Sequence, residues 1–169
     1  MTIRNENLEL AFAVAEKYCT EPRRDGTPSM GHIRRVVDIL NSMGYGWNQK
    51  ILTIGALHDI VEDCHDKDPE DDSATIELIG FGYYVMKGVQ TLTHPPEEKY
   101  CNYIKRIIAG THTGAVIVKI ADIIDNLTSE PLPASKARYK KSLPALIKRW
   151  DAQRWDRNGC DIPTQRGEE

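Results

Sequence analysis

The sequence has no paired-cysteine motif. Its four cysteines, Cys19, Cys64, Cys101 and Cys160, are widely separated and form no CxxC pair, which argues against a zinc-ribbon framework. No apolar run approaches the roughly 18 residues of a membrane span. "MTIRNENLEL" lacks an apolar stretch of the length a signal peptide needs. Neither sign of charge dominates: a formal net charge of −3 gives no general reason to expect a nucleic-acid or membrane partner. Repeats are absent, and no second domain is evident. Together these absences lead to the expectation of a cytoplasmic protein with reduced thiols and no nucleic-acid or membrane partner. Nothing in the sequence sets its oligomeric state.

What is present suits one soluble globular domain. Hydrophobic residues make up 40% of the 169 positions and charged ones 28%. That length buries a sizeable core without disulfide staples. Residues 1–160 are read as the domain and 161–169 as a tail.

Helical periodicity runs through nearly the whole chain. "NENLELAFAVAEKYC" predicts a first helix, with Asn5 or Asn7 as its cap, and Pro22, Gly26 and Pro28 then mark a loop. "MGHIRRVVDILNSMG" predicts a second, with Ile33, Val36, Val37 and Leu40 as its apolar face and Gly44 as its end. "NQKILTIGALHDIVEDC" reads as one central helix, apolar on most sides. An acidic loop follows and leads into a short helix capped by Asp71, Asp72 or Ser73. "FGYYVMKGVQTLT" is a further helix, and "PEEKYCNYIKRIIAG" another, with Pro95 and Pro96 fitting its N-terminal turn. "GAVIVKIADIIDNL" fits a period of 3.6 better than 2, and a basic last helix carries Pro144 as a kink or junction. The fold class is therefore all-α, a compact helical bundle.

Against this apolar background, "ALHDIVED" (56–63) concentrates polarity. Neutral imidazoles and carboxylates are ligands for divalent transition metals. His58 and Asp59 are adjacent, so on one helix they diverge by about 100° and meet a single ion only from above the helix. Two further ligands are then needed. His32 lies on the polar side of the second helix, and Asp122 interrupts the apolar face of a late one. Taken alone, His32 reads as a surface histidine and Asp122 as a partner of Lys119. Together the four make a cage inside a bundle.

Glu62 and Asp63 lie four residues after His58 and Asp59 and project toward the same place. Carboxylates beside a metal orient a water and move its proton. At a helix C-terminus each is disfavoured by about 0.3–1 kcal/mol, which a bound cation offsets. Cys64 reads as a core thiol, since the carboxylates around it suppress its thiolate. His112, in "GTHTG", is expected to shape that turn. Candidate cations for a phosphorylated ligand are Arg23, Arg24, Lys99, Lys105, Arg106 and Lys119. Lys99, Tyr100, Tyr103 and Arg106 read equally as a phosphate clamp or as a solvated basic face with two core tyrosines. Lys119 is expected to pair with a nearby acid.

The order His32, "HDIVED" and "VKIADIIDNL" resembles the HD-domain metal-dependent phosphohydrolases. Within them it is most similar to the hydrolase domain of RelA/SpoT proteins and the small alarmone hydrolases, over roughly residues 8–127. The resemblance implies a single HD-domain helical bundle. It implies Mn²⁺ held by His32, His58, Asp59 and Asp122, with Glu62 and Asp63 activating water. Asn126 then contacts the nucleoside, and Arg23 and Arg24 contact the nucleotide. The implied substrate is a small phosphorylated nucleotide, guanosine tetra- or pentaphosphate, losing its 3′-pyrophosphate. With no synthetase domain following in this sequence, a stand-alone hydrolase is expected. The alternatives are another HD phosphohydrolase, acting on nucleoside triphosphates, monophosphates or a nicotinamide dinucleotide phosphate, and a metal-bound regulatory module without turnover. Intact Glu62 and Asp63 speak against the latter.

Overall fold

The computed structural model describes residues 6–23, 26–129 and 132–156. Asn5, Arg24, Cys160 and the expected tail lie outside these. Among the described residues there are nine α-helices and no strand. In chain order they are α1 (Glu6–Tyr18), α2 (Ser29–Leu40), α3 (Gln49–Leu57), α4 (Ile60–Lys67), α5 (Ser73–Ile79), α6 (Tyr83–Leu92), α7 (Tyr100–Ala109), α8 (Thr113–Thr128) and α9 (Pro133–Asp156).

The core is built where α2, α3 and α8 meet, with α1, α6 and α9 packed around them. Ile33, Val36, Val37 and Leu40 are all buried, as the second helix's pattern predicts. That helix leaves through a wide turn, Asn41–Tyr45, in which Gly44 takes φ +89°, a conformation a side chain would strain. α8 is apolar on most of its surface and is buried nearly throughout, so any polar side chain it carries must be satisfied inside the protein. His112 caps it, accepting the Ala115 N–H at 3.1 Å through its Nδ1, as expected of a turn-shaping residue.

The structure departs from the sequence reading in three places. The single helix expected over 48–64 is two, broken at His58 and Asp59. The His58 Nδ1–H donates to the Gly55 carbonyl at 2.8 Å, and Asp59, at φ −98°, ψ −10°, opens α4. Pro95 and Pro96 lie in the loop before α7 and not in its first turn, where the Glu98 N–H closes a turn onto the Pro95 carbonyl at 3.0 Å. Pro144 does not divide α9. It is exposed, so the carbonyl whose hydrogen bond it removes faces solvent.

Asp72 is the cap residue of α5 but its side chain makes no capping bond; Asp71, one residue before it, accepts the Ser73 N–H at 2.8 Å. Cys64 is buried and its thiol donates to the Asp71 carbonyl at 3.3 Å, as a core thiol should.

Candidate metal centre

Three separate elements bring their polar side chains to one point. His32 comes from the first turn of α2, His58 and Asp59 from the α3–α4 break, and Asp122 from the middle of α8. The two imidazoles approach with Nε2 to Nε2 at 3.3 Å. Asp59 places Oδ1 3.1 Å from His58 Nε2 and Oδ2 3.6 Å from His32 Nε2. Asp122 Oδ1 lies 3.3 Å from His32 Nε2 and 3.9 Å from His58 Nε2.

The break in the helix makes this possible. On one continuous helix, neighbouring side chains diverge. With the turn interrupted, the His58 ring and the Asp59 carboxylate converge. His58 is held by the Gly55 carbonyl, and Gly55 itself sits where a side chain would meet Leu40 Cδ1 at 2.6 Å, so α3 lies close against α2.

The proton positions follow from the partners. His32 Nδ1–H donates to Asp125 Oδ2 at 2.7 Å, and His58 Nδ1–H donates to a carbonyl. In the neutral rings both Nε2 atoms are therefore lone-pair acceptors. Two acceptor nitrogens and two carboxylates facing one another repel unless a metal cation or a proton lies between them. Ligand atoms about 2.0–2.2 Å from an ion stand about 3.0–3.6 Å apart; the distances among His32, His58 and Asp59 and from His32 to Asp122 fall in that range, and His58 to Asp122, at 3.9 Å, lies just beyond it. Donor atoms of His32, His58 and Asp59 all fall within 4.8 Å of one another, as a common ion requires. The residues present fit a divalent transition metal.

The electrostatics agree. Burial opposes protonation of His58, but Asp59 and Asp122 outweigh it and push its pKa up to about 9. Burial likewise opposes protonation of His32, and Asp122 and Asp125 override it. Burial raises Asp59, yet His58 and His32 hold it at about 2. Asp122 stays well below the usual carboxylate range in spite of burial, because the Lys119 ammonium lies 2.8 Å from its Oδ2. The cluster is thus built to hold positive charge.

Glu62 and Asp63 are half-buried beside it. Burial and the Asp59 charge push Glu62 up to about 7, and its Oε1 accepts the His94 backbone N–H at 2.7 Å. Burial also raises Asp63, which is hydrogen-bonded to the Cys19 thiol. Both stand in the first turn of α4, at its N-terminus and not at a C-terminus. The helix dipole therefore favours their charge, and the offsetting cation that the sequence reading called for at a C-terminus is not needed on that ground.

The candidates for substrate contact separate into two groups. Arg23 is half-buried and donates through Nη2 to Asn126 Oδ1, while Asn126 Nδ2 donates to Asp122 Oδ1 at 2.6 Å. A closed loop delivers Arg23: its N–H bonds the Thr27 carbonyl at 2.9 Å and Gly26 turns at φ +80°. Arg23 and Asn126 therefore stand at the cluster. Arg24 lies outside the described residues. Lys99 and Lys105 are exposed, and Lys119 pairs with Asp122 as expected.

Of the two readings of this helix, the core tyrosines hold, since Tyr103 is buried and Tyr100 packs against the core, whereas Arg106 is turned neither into a clamp nor out to solvent. Tyr103 is buried, with its hydroxyl donating to the Leu92 carbonyl. Arg106 is bound to Glu98 and to the carbonyls of Thr91 and Thr93.

Four contributors escaped the sequence reading. Asp125 is buried and orients His32, and Arg35 grips it from outside through Nε at 2.7 Å and Nη2 at 3.1 Å. The spacing was visible: Asp125 follows Asp122 by three in an apolar run, and Arg35 follows His32 by three. The other two, the Gly55 carbonyl and the His94 N–H, are backbone groups that no residue type announces.

No protein-family model and no curated protein matches the chain. Among solved structures, one described as a metazoan orthologue of SpoT that hydrolyses ppGpp and plays a role in starvation responses aligns with a TM-score of 0.69. The alignment covers 89% of this chain and 88% of that one at 19% sequence identity. The two chains share a fold. It is the all-helical fold that the resemblance of "HDIVED" and "VKIAD" implied.

Proposed function

We propose that this protein is a divalent-metal-dependent phosphohydrolase that removes the 3′-pyrophosphate of guanosine tetra- or pentaphosphate, with Mn²⁺ as its metal. The observation that carries the metal is the 3.3 Å approach of two acceptor nitrogens, His32 Nε2 and His58 Nε2, between the carboxylates of Asp59 and Asp122. What supports the substrate is the fold shared with a protein described as hydrolysing ppGpp.

When bound, a divalent ion supplies an acidified water and a polarised phosphoryl oxygen. Water attacks the phosphorus attached to the ribose 3′-oxygen. The bond from that phosphorus to the 3′-oxygen breaks, and pyrophosphate leaves. Glu62, with a pKa of about 7, is poised to accept the water's proton near neutral pH and to hand one to the departing oxygen. Asp63, in the same first turn of α4, orients that water. Arg23 and Asn126, joined to each other and to Asp122, meet the nucleoside end.

The test is a panel of nucleotides incubated with Mn²⁺ and separated by ion-exchange chromatography. Pyrophosphate released from guanosine tetraphosphate is the expected product. Tripolyphosphate released from a deoxynucleoside triphosphate instead would make the protein a different phosphohydrolase. No turnover of any nucleotide would leave it a metal-bound module.

A further inference from the structure

The end of α6 is held by side chains from α7. Its last carbonyls have no partner within the helix, and three consecutive ones are met from outside. Arg106 Nη1 donates to the Thr91 carbonyl at 2.9 Å, the Tyr103 hydroxyl to Leu92, and Arg106 Nη2 to Thr93 at 2.9 Å. The next backbone group along the chain is the His94 N–H, which donates to Glu62 Oε1 at 2.7 Å. Whatever fixes the end of α6 therefore fixes a hydrogen bond to Glu62.

The loop after α6 is closed by the same residues. Glu98 receives Arg106 at both carboxylate oxygens, the shortest contact being 2.8 Å. The His94 ring donates to the Glu98 carbonyl at 2.7 Å and lies 4.6 Å, centre to centre, from the Tyr103 ring. Four of the five guanidinium N–H groups of Arg106 thus point into the protein, although its side chain is 38% exposed. Its charge is matched by Glu98, so it offers little to a phosphate. A cation built to bind substrate would keep its donors turned outward.

We infer that Arg106 is a positioning residue for Glu62: it clamps the end of α6 and the loop behind it so that the His94 N–H holds the Glu62 carboxylate in place. This rests on the reading of Glu62 as the water-handling carboxylate. Nothing in the geometry lets Arg106 reach the metal ligands, so the inference separates orientation of Glu62 from metal binding.

The test is a double-mutant cycle between Arg106→Gln and Glu62→Gln, read as kcat and KM for the nucleotide the protein hydrolyses best, with Mn²⁺ affinity measured in parallel. Arg106→Gln is expected to lower kcat by about 10–100-fold, as small misplacements behind a reacting group do, with KM and Mn²⁺ affinity within about threefold of the parent. In the Glu62→Gln background the same change should cost less than about twofold of the residual rate, because the group it acts through is gone. Glu98→Gln, a milder change, should move kcat in the same direction by less. A raised KM with unchanged kcat would make Arg106 a substrate contact, and equal losses in both backgrounds would make it a general structural residue. Either result overturns the inference.

A readout independent of turnover is hydrogen exchange at the His94 amide in metal-free protein. Arg106→Gln and Glu62→Ala, which removes the acceptor, should each speed it at least about tenfold, and an unchanged rate in Arg106→Gln overturns the clamp. A parent protein that hydrolyses no nucleotide would sink the functional reading, while this exchange measurement would still decide the clamp.

Discussion

The centre is assembled by two opposite devices. At the α3–α4 junction the helix is broken, and two adjacent residues, His58 and Asp59, are turned toward one point. In α8 the helix is unbroken, and spacing does the work. Asp122 faces the cluster, Asp125 three residues on meets His32, and Asn126 four residues on returns to Asp122. The break gives two close side chains, one of them partly wet: His58 is buried, but the Asp59 side chain is 32% exposed. The continuous helix gives carboxylates that are dry, with Asp122 at 8% and Asp125 at 2%, the first held by Lys119 and the second by Arg35. The difference predicts that the junction governs metal binding alone, whereas α8 couples metal binding to the stability of the fold.

Asp122→Ala and Asp59→Ala test that contrast most directly. Both are expected to abolish divalent-ion binding and activity. Asp122→Ala also strands the Lys119 ammonium, only 12% exposed and deprived of its 2.8 Å partner, and should destabilise the metal-free protein by about 3–5 kcal/mol. Asp59→Ala should cost less than that, since the Asp59 side chain is 32% exposed and solvent screens its attraction to His58 and His32. Urea unfolding in chelator, paired with calorimetric titration of Mn²⁺, reads both quantities. Equal stability losses in the two variants would erase the distinction.

Glu62 probes the junction from its α4 side. Its folded pKa, about 7, lies above its ordinary 4.5, so between these values the folded protein holds a proton that the unfolded chain has released. Its contribution to metal-free stability is fully present below about pH 4.5 and is lost as pH rises through about 7, a swing of the order of 3 kcal/mol. Glu62→Gln should remove that swing. Melting curves of chelated protein from pH 4.5 to 7.5 would show a slope in the parent that is shallower in the variant. Parallel slopes would mean that Glu62 is not held in the environment described.

What could be read from the sequence divides along the same line. The helical class, the apolar face of α2, the buried thiol of Cys64 and the order His32, His58, Asp59, Asp122 follow from periodicity and residue type. The α8 device was open to the same reasoning, since i, i+3 and i+4 spacing survives in an intact helix, and Asp125 was overlooked all the same. The break at His58 was not open to it. A histidine bonding back to the carbonyl three residues earlier leaves no compositional trace, and an unbroken apolar run looks the same with or without it. Arg106 misled for a related reason. Its charge is in the sequence, but its partners are two backbone carbonyls and a carboxylate eight residues away.

Asp125→Asn is the next smaller test on the α8 side. The amide keeps the shape but weakens the acceptor that orients His32 and gives up the charge facing Arg35. Loss of such a partner behind a metal-binding histidine costs about 10–100-fold in metal affinity. The expected result is weaker Mn²⁺ binding with His58 and Asp59 still competent, so that saturating metal restores most of the activity. Failure of saturating metal to restore it would place Asp125 among the ligands themselves.

Arg35→Gln should have the smallest effect, and the reason lies in where each partner sits. Asp125 is buried, but the Arg35 side chain that grips it is 45% exposed, so water and salt screen the pair. Removing the guanidinium leaves Asp125 its bond to His32 at 2.7 Å and leaves its outer lone pairs within reach of solvent. The carboxylate should remain ionised at neutral pH, because His32 alone also lowers its pKa. Stability is therefore expected to fall by less than about 1 kcal/mol, and Mn²⁺ affinity by a few-fold, with the deficit shrinking further as salt rises from low to physiological strength. A loss as large as that of Asp125→Asn, insensitive to salt, would mean that Arg35 and Asp125 act as one desolvated unit, and that α8 draws its rigidity from α2 as much as from its own spacing.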